Sequence, residues 1–169
     1  IEAAWNWINM TIPVISSTFA SFSRMCKNLG AETLGHLFID EAGQALPQAA
    51  VGAIYRSRHV MVVGDPLQIK PVLTLDSNTL YMLGEHFGVT EKYLSASASA
   101  QILADAASQY GFYRKQDKAE DSWVGIPLWV HRRCRYPMFT ISNMISYDGF
   151  MVQGMEKYGK ADWFDVGGM

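Results

Sequence analysis

Two adjacent carboxylates, Asp40 and Glu41, follow directly on the apolar run Leu37-Phe38-Ile39. Phosphoryl transfer from a nucleotide to water needs one carboxylate to hold magnesium and a second group to orient or deprotonate the attacking water. Two acids at the tip of a buried strand supply both. The same pair can also do less, with Asp40 capping a following helix and Glu41 in solvent. A second run, His59-Val60-Met61-Val62-Val63, ends in Gly64, Asp65, Pro66 and then Gln68. Gly64 permits a tight turn, Pro66 and Pro71 stiffen the loop, and Asp65 and Gln68 put an acceptor and an amide into it. An amide can contact a terminal phosphate or the attacking water without a change of charge. By itself this loop is equally a strand-to-turn device, with Asp65 making a local turn bond.

The elements that must position these residues are short. Thr11 to Thr18, His36 to Glu41 and His59 to Asp65 are apolar, β-branched runs that end in polar turns, and they read as strands buried on both faces. Between the last two, Pro-Gln-Ala-Ala-Val-Gly-Ala-Ile-Tyr-Arg-Ser reads as a helix with Pro47 near its first position and with Val51, Ile54 and Tyr55 on one side. Strand, helix, strand is the wiring of a doubly wound parallel sheet, in which ligands bind at the carboxyl ends of the strands. A further amphipathic helix comes after these, from Ser99 to Tyr110, with a serine cap and Ala100, Leu103, Ala104 and Ala107 on its packing side. Residues 113–122 are charged and lack apolar periodicity, which predicts a loop or linker. Beyond it the spacing predicts a strand over residues 123–131 and a helix with Met138, Ile141 and Ile145 on one face, closed by Tyr147, Asp148 and Gly149.

Taken in order, Leu-Phe-Ile-Asp-Glu-Ala-Gly-Gln-Ala and Val-Val-Gly-Asp-Pro-Leu-Gln-Ile-Lys-Pro-Val resemble motifs II and III of superfamily 1 helicases, in the branch related to the nonsense-mediated-decay helicase. Pro13 to Ser21 resembles the motif ahead of the acidic pair, and the stretch from Pro127 to Gly149 resembles motif IV. The likeness spans Pro13 to Val152. It implies a partial RecA-like, P-loop NTPase α/β fold: a parallel sheet flanked by helices, plus the start of a second RecA-like domain. Residues 1–112 would be the later part of the first motor domain, 113–122 the linker, and 123–169 the motif IV region. The implied activity is ATP hydrolysis coupled to movement on single-stranded DNA or RNA. Asp40 would hold Mg2+ through its water shell, Glu41 would be the general base and Gln68 would sense the γ-phosphate of ATP. Gln44 and Asp65 would belong to the same nucleotide-facing loops. Arg133 aligns with the arginine that stabilises charge in the transition state. Arg132 and Arg135 stand beside it, so the cluster also reads as a solvated or phosphate-contacting patch. Thr18 and Ser21 would face the nucleic acid, although such hydroxyls also cap helices. Where the wider family has Gln and Tyr before the arginine, this chain has His131 and Arg132.

Composition sets limits around that reading. The chain has 169 residues, 49% of them hydrophobic, and a net charge of −2, so any nucleic-acid surface is a local patch rather than a global field. Cys26 and Cys134 are too far apart in sequence, and too few, for a disulfide framework or a zinc knuckle, which predicts a reducing, cytoplasmic setting. No apolar run approaches the roughly 18 residues of a membrane span. The five tryptophans, Trp5, Trp7, Trp123, Trp129 and Trp163, read as core or interface residues rather than base-stacking platforms. The phosphate-binding string G-x-x-x-x-G-K-[ST] does not occur among these residues. The expectation is therefore an internal fragment, inactive by itself, that binds ATP weakly and self-associates through a sheet edge left unpaired. Two other readings stand beside the helicase: an ATPase that remodels nucleoprotein complexes without unwinding, and a non-catalytic scaffold.

Overall fold

A computed structural model describes residues 2–65, 71, 75–90, 93–94, 98–114 and 122–155. The chain is mixed α/β and divides into two compact units, Ile1–Gly125 and Ile126–Met169.

The first unit opens with helices α1 (Glu2–Thr11) and α2 (Phe19–Met25). Strand β1 (Leu34–Ile39) is next, then a single 3-10 turn over Ala42–Gln44, helix α3 (Pro47–Tyr55) and strand β2 (Ser57–Val62). β1 and β2 pair in parallel, with Leu34 opposite Ser57 and Ile39 opposite Val62, so the expected strand-helix-strand crossover is present. Pro47 starts α3, where its missing N–H costs nothing. Arg56 closes it: Nη1 donates to Gly52 O at 2.7 Å and Nε to Cys26 O at 2.9 Å, which binds the end of α3 to the end of α2. Helix α4 (Ser77–Phe87) and helix α5 (Ala100–Ala107) come later in the chain, and an antiparallel pair of β3 (Phe112–Arg114) and β4 (Ser122–Val124) ends the unit.

The core is built from small side chains. Ile39, Ala42, Ala45, Ala50 and Ala100 are buried together, with Phe19, Leu37 and Val62 against them. Alanines at these places let α3 and α5 approach the strand ends closely.

Several sequence expectations are corrected. Residues 11–18 form no strand: the chain is irregular from Ile12, and Thr18 caps α2. The segment has no partner strand among the described residues to satisfy its backbone, and β-branched residues favour strands only on a paired, half-buried surface. β1 and β2 are not buried on both faces. His36 and Phe38 on β1 and their opposite numbers His59 and Met61 on β2 are exposed, with Phe38 at 67% and Met61 at 57%. The expected linker over 113–122 begins and ends in strands, since Tyr113 pairs with Trp123 and Arg114 with Ser122; residues 115–121 lie outside the described residues. The Tyr113 and Trp123 rings meet edge to face at 5.0 Å, a cross-strand contact that supports this pairing.

The second unit has β5 (Val130–His131), helix α6 (Met138–Ser146) and β6 (Val152–Gln153), with β5 and β6 parallel. α6 buries Phe139 and Asn143, not the predicted face of Met138, Ile141 and Ile145, which stays exposed. Asn143 decides this orientation. Its amide donates to Met151 O and its carbonyl accepts from Met151 N, both at 3.0 Å, which ties the helix to the approach to β6. Trp7 and Trp129 are exposed at 71% and 41%, so they are not core residues of their units. Trp163 lies outside the described residues.

Candidate functional site

Asp40 and Glu41 leave β1 at its carboxyl end, immediately after the buried Ile39. The chain turns sharply there. Glu41 adopts the left-handed conformation at φ 52°, ψ 38°, which is unfavourable for a side chain with a Cβ and is the kind of strain found at functional loops. Asp40 Oδ1 accepts from Glu41 N at 2.9 Å, a local bond that holds the turn. Both carboxylates are exposed.

The exit of β2 lies beside this turn. Val63 N donates to Ile39 O at 2.8 Å and Ala42 N donates to Val63 O at 3.0 Å, so hydrogen bonding continues beyond the two strands. The residues after them pack backbone to backbone. A Cβ on Gly43 would lie 2.5 Å from Asp65 O, and one on Gly64 would lie 2.6 Å from Gly43 N and 2.7 Å from Ala42 N. Glycine at both positions is what lets the Asp40–Gly43 and Gly64–Asp65 turns touch. Asp65 is half-buried at this contact, and Gln44 is exposed on the 3-10 turn, its N–H donating to Glu41 O at 3.0 Å. Gln68 lies outside the described residues.

α5 packs against the pair of turns. Ser99 caps it by accepting from Ile102 N at 3.2 Å, and Ala100 N donates to Ala45 O at 2.9 Å, which joins the helix to the end of the 3-10 turn. Two polar residues on this helix were not singled out by sequence reasoning. Gln101 Nε2 donates to Asp105 Oδ1 at 3.0 Å, and Gly125 N donates to the same oxygen at 3.1 Å. Burial pushes the Asp105 carboxyl above its ordinary value, while the bonds from Gly125 and Gln101 pull it back. The signal available in the sequence was a Gln and an Asp four residues apart in an otherwise alanine-rich helix, a pair that meets on one helix face.

Thr18 and Ser21 are engaged with each other at the start of α2. Thr18 Oγ1 accepts from Ser21 N and donates to Ser21 Oγ, both at 3.3 Å. The two hydroxyls are exposed but act here as a helix cap.

Arg132, Arg133 and Arg135 belong to the second unit. Arg132, Arg133 and Arg135 are all exposed there. Their loop is shaped by His131, whose Nε2 accepts from Cys134 N at 2.9 Å and whose ring lies 5.5 Å from that of Phe139. Arg135 O accepts from Phe139 N at 2.9 Å, which joins the far end of the loop to α6.

The donor set at the strand tips suits magnesium, which takes one or two carboxylates and keeps several waters. It does not suit a fully protein-ligated metal: among the described residues no group of three or more His, Cys, Asp or Glu side chains could hold an ion. Cys26 and Cys134 are unpaired thiols, and Cys26 is buried, which raises its thiol above the ordinary value. Among the described residues no helix is long and apolar enough to cross a membrane. No family model matches the chain, and neither a curated protein nor a solved structure does.

Proposed function

We propose that this chain carries the metal-holding and water-activating half of the ATP site of a nucleic-acid helicase or translocase with a RecA-like fold. The observation that supports this reading is the contact between two adjacent parallel strand tips, one ending in Asp40-Glu41 and the other in Gly64-Asp65. Open parallel sheets bind ligands at that edge.

Bound Mg2+ would neutralise phosphate charge and orient the triphosphate. Asp40, exposed at the end of β1, would be the carboxylate that holds the metal through its hydration shell. Glu41 takes the proton from the attacking water as its oxygen bonds to the γ-phosphorus and the bond to the ADP oxygen breaks. Gln68 reads the γ-phosphate, with Gln44 and Asp65 in the same loops. The family resemblance would give Arg133, in the second unit, the role of offsetting charge developing in the transition state. Thr18 and Ser21 present hydroxyls to a strand of DNA or RNA. The left-handed Glu41 is compatible with this assignment, since strained backbone occurs at functional turns, although Glu32 and Asp148 share that conformation.

The test is Glu41→Gln in the full-length protein. The amide keeps the side chain's shape but cannot accept the proton, so turnover should be lost, by about 100-fold or more, while ATP binding persists. Unchanged turnover would reject Glu41 as the base. Stimulation of wild-type turnover by single-stranded polymer would favour a translocase over an ATPase that does not track along a strand.

A further inference from the structure

Gln101 Oε1 is the one buried side-chain oxygen or nitrogen without a hydrogen-bond partner among the described residues. A buried acceptor left unpaired is costly, so its orientation needs a cause. Asp105 provides one. Its Oδ1 accepts from Gln101 Nε2 at 3.0 Å; turning the amide over would set Oε1 against a carboxylate oxygen instead. The bond to Asp105 therefore aims Oε1 away from Asp105 and toward Gly64, where a Cβ would meet it at 3.0 Å. Asp105 is itself fixed. It is 8% exposed, and it accepts from the amide of Gly125, where a Cβ would come within 2.8 Å of Oδ1. Gly125 is the last residue of the first unit.

We propose that Gln101 is a positioning residue of the candidate site: fixed by Asp105, it holds the Gly64–Asp65 turn against Ala42 and Gly43, and through Asp105 it ties that contact to Gly125, where the chain leaves the first unit. Its purpose rests on the hydrolase reading, but its geometry does not. Backbone bonds hold the turn as far as Val63, through Ile39 O and Ala42 N; beyond it neither Gly64 nor Gly43 has a side chain, and Gln101 is the side chain set against Gly64. Asp105 gives the contact a second anchor on the β4 side. Asp40 and Glu41 lie at the start of the turn so held, and Gln101 acts on them through that turn.

The experiment uses Gln101→Glu in the full-length chain, with hydrogen exchange read at residues 42–45 and 63–65 and with α4 as an internal reference. A glutamate at 101 and Asp105 can keep their bond only while they share a proton; when both ionise, like charges in a buried place separate. Near about pH 5 protection in the variant should match wild type, and near about pH 8 protection at the two turns should fall roughly tenfold, as for a lost buried hydrogen bond. Protection in α4 should not change. Adding Asp105→Asn should restore the turns at both pH values, because the asparagine amide can donate to the new carboxylate while its carbonyl still accepts from Gly125. Equal protection in Gln101→Glu and wild type at both pH values would overturn the proposal. So would a uniform loss that includes α4 and is not rescued by Asp105→Asn. Turnover of Mg·ATP by the same proteins keeps the two readings apart: no wild-type turnover counts against the hydrolase and leaves the exchange result intact, whereas a pH-dependent fall in kcat at constant KM in Gln101→Glu supports both.

Discussion

Glu41 combines two properties that pull against each other. Its left-handed backbone costs stability for any residue with a Cβ, and its carboxylate is the proposed base. Glu41→Gly should therefore leave stability unchanged or raise it by about 1 kcal/mol in urea unfolding, since the relief of strain exceeds the extra chain entropy of glycine. The same change should abolish turnover, and a variant that is both destabilised and active would contradict the assignment. Gly64 is the converse case. Alanine there must displace the backbone of Ala42 and Gly43, 2.6 to 2.7 Å from the new carbon, which predicts a loss of roughly 1–3 kcal/mol. Asp105 adds a pH dependence. Burial raises its carboxyl in the folded chain, so folding favours the protonated form. That contribution is fully present below the ordinary aspartate value and is lost as pH rises through the raised one. Asp105→Asn should flatten this part of the stability profile, since the asparagine carbonyl still accepts from Gly125 and Gln101; a slope unchanged by the substitution would show that Asp105 is not its source.

At the level of elements, what could be read locally was legible and what depended on distant partners was not. The crossover from β1 through α3 to β2 is written in consecutive residues: an apolar run, a proline at the first helical position, a second apolar run and a glycine. The cap of α5 is equally local, and Ser99→Ala should cost about 1 kcal/mol by thermal unfolding, with the Ala100 bond to Ala45 loosened as well. The acidic pair at a strand tip and the glycine turn beside it were legible for the same reason. Residues 11–18 were not, because a β-branched run becomes a strand only when another strand offers hydrogen bonds, and here Ile12, Val14 and Ile15 remain exposed. The face of α6 was misread because Asn143, a polar residue, is held inward by its two bonds to Met151, eight residues on. Gln101 and Asp105 escaped notice because their meaning lies in Gly64 and Gly125, which reach them only through the fold. The loop of Arg132, Arg133 and Arg135 was legible as a cationic cluster, but its anchoring by His131 was not.

For the whole molecule, the exposed face of the β1–β2 pair has a consequence for assembly. Among the described residues this sheet has two strands, and two strands by themselves are only marginally stable. One face rests on the alanine-rich core, while the other presents His36 and His59, stacked at 5.0 Å, next to the exposed Phe38 and Met61. Unpaired strand edges and adjacent apolar side chains both favour addition of another strand or sheet. A second copy of this chain is the occupant always at hand, and burying Phe38 and Met61 against it would contribute about 2 kcal/mol for each side chain. The 169-residue chain is therefore expected to sediment as a concentration-dependent mixture of monomer and larger species. Phe38→Lys together with Met61→Lys should shift that mixture to monomer without unfolding β1 and β2, because both side chains lie on the solvent face. A chain that remains a clean monomer at high concentration, or whose association survives the double substitution, would mean that this face does not drive assembly.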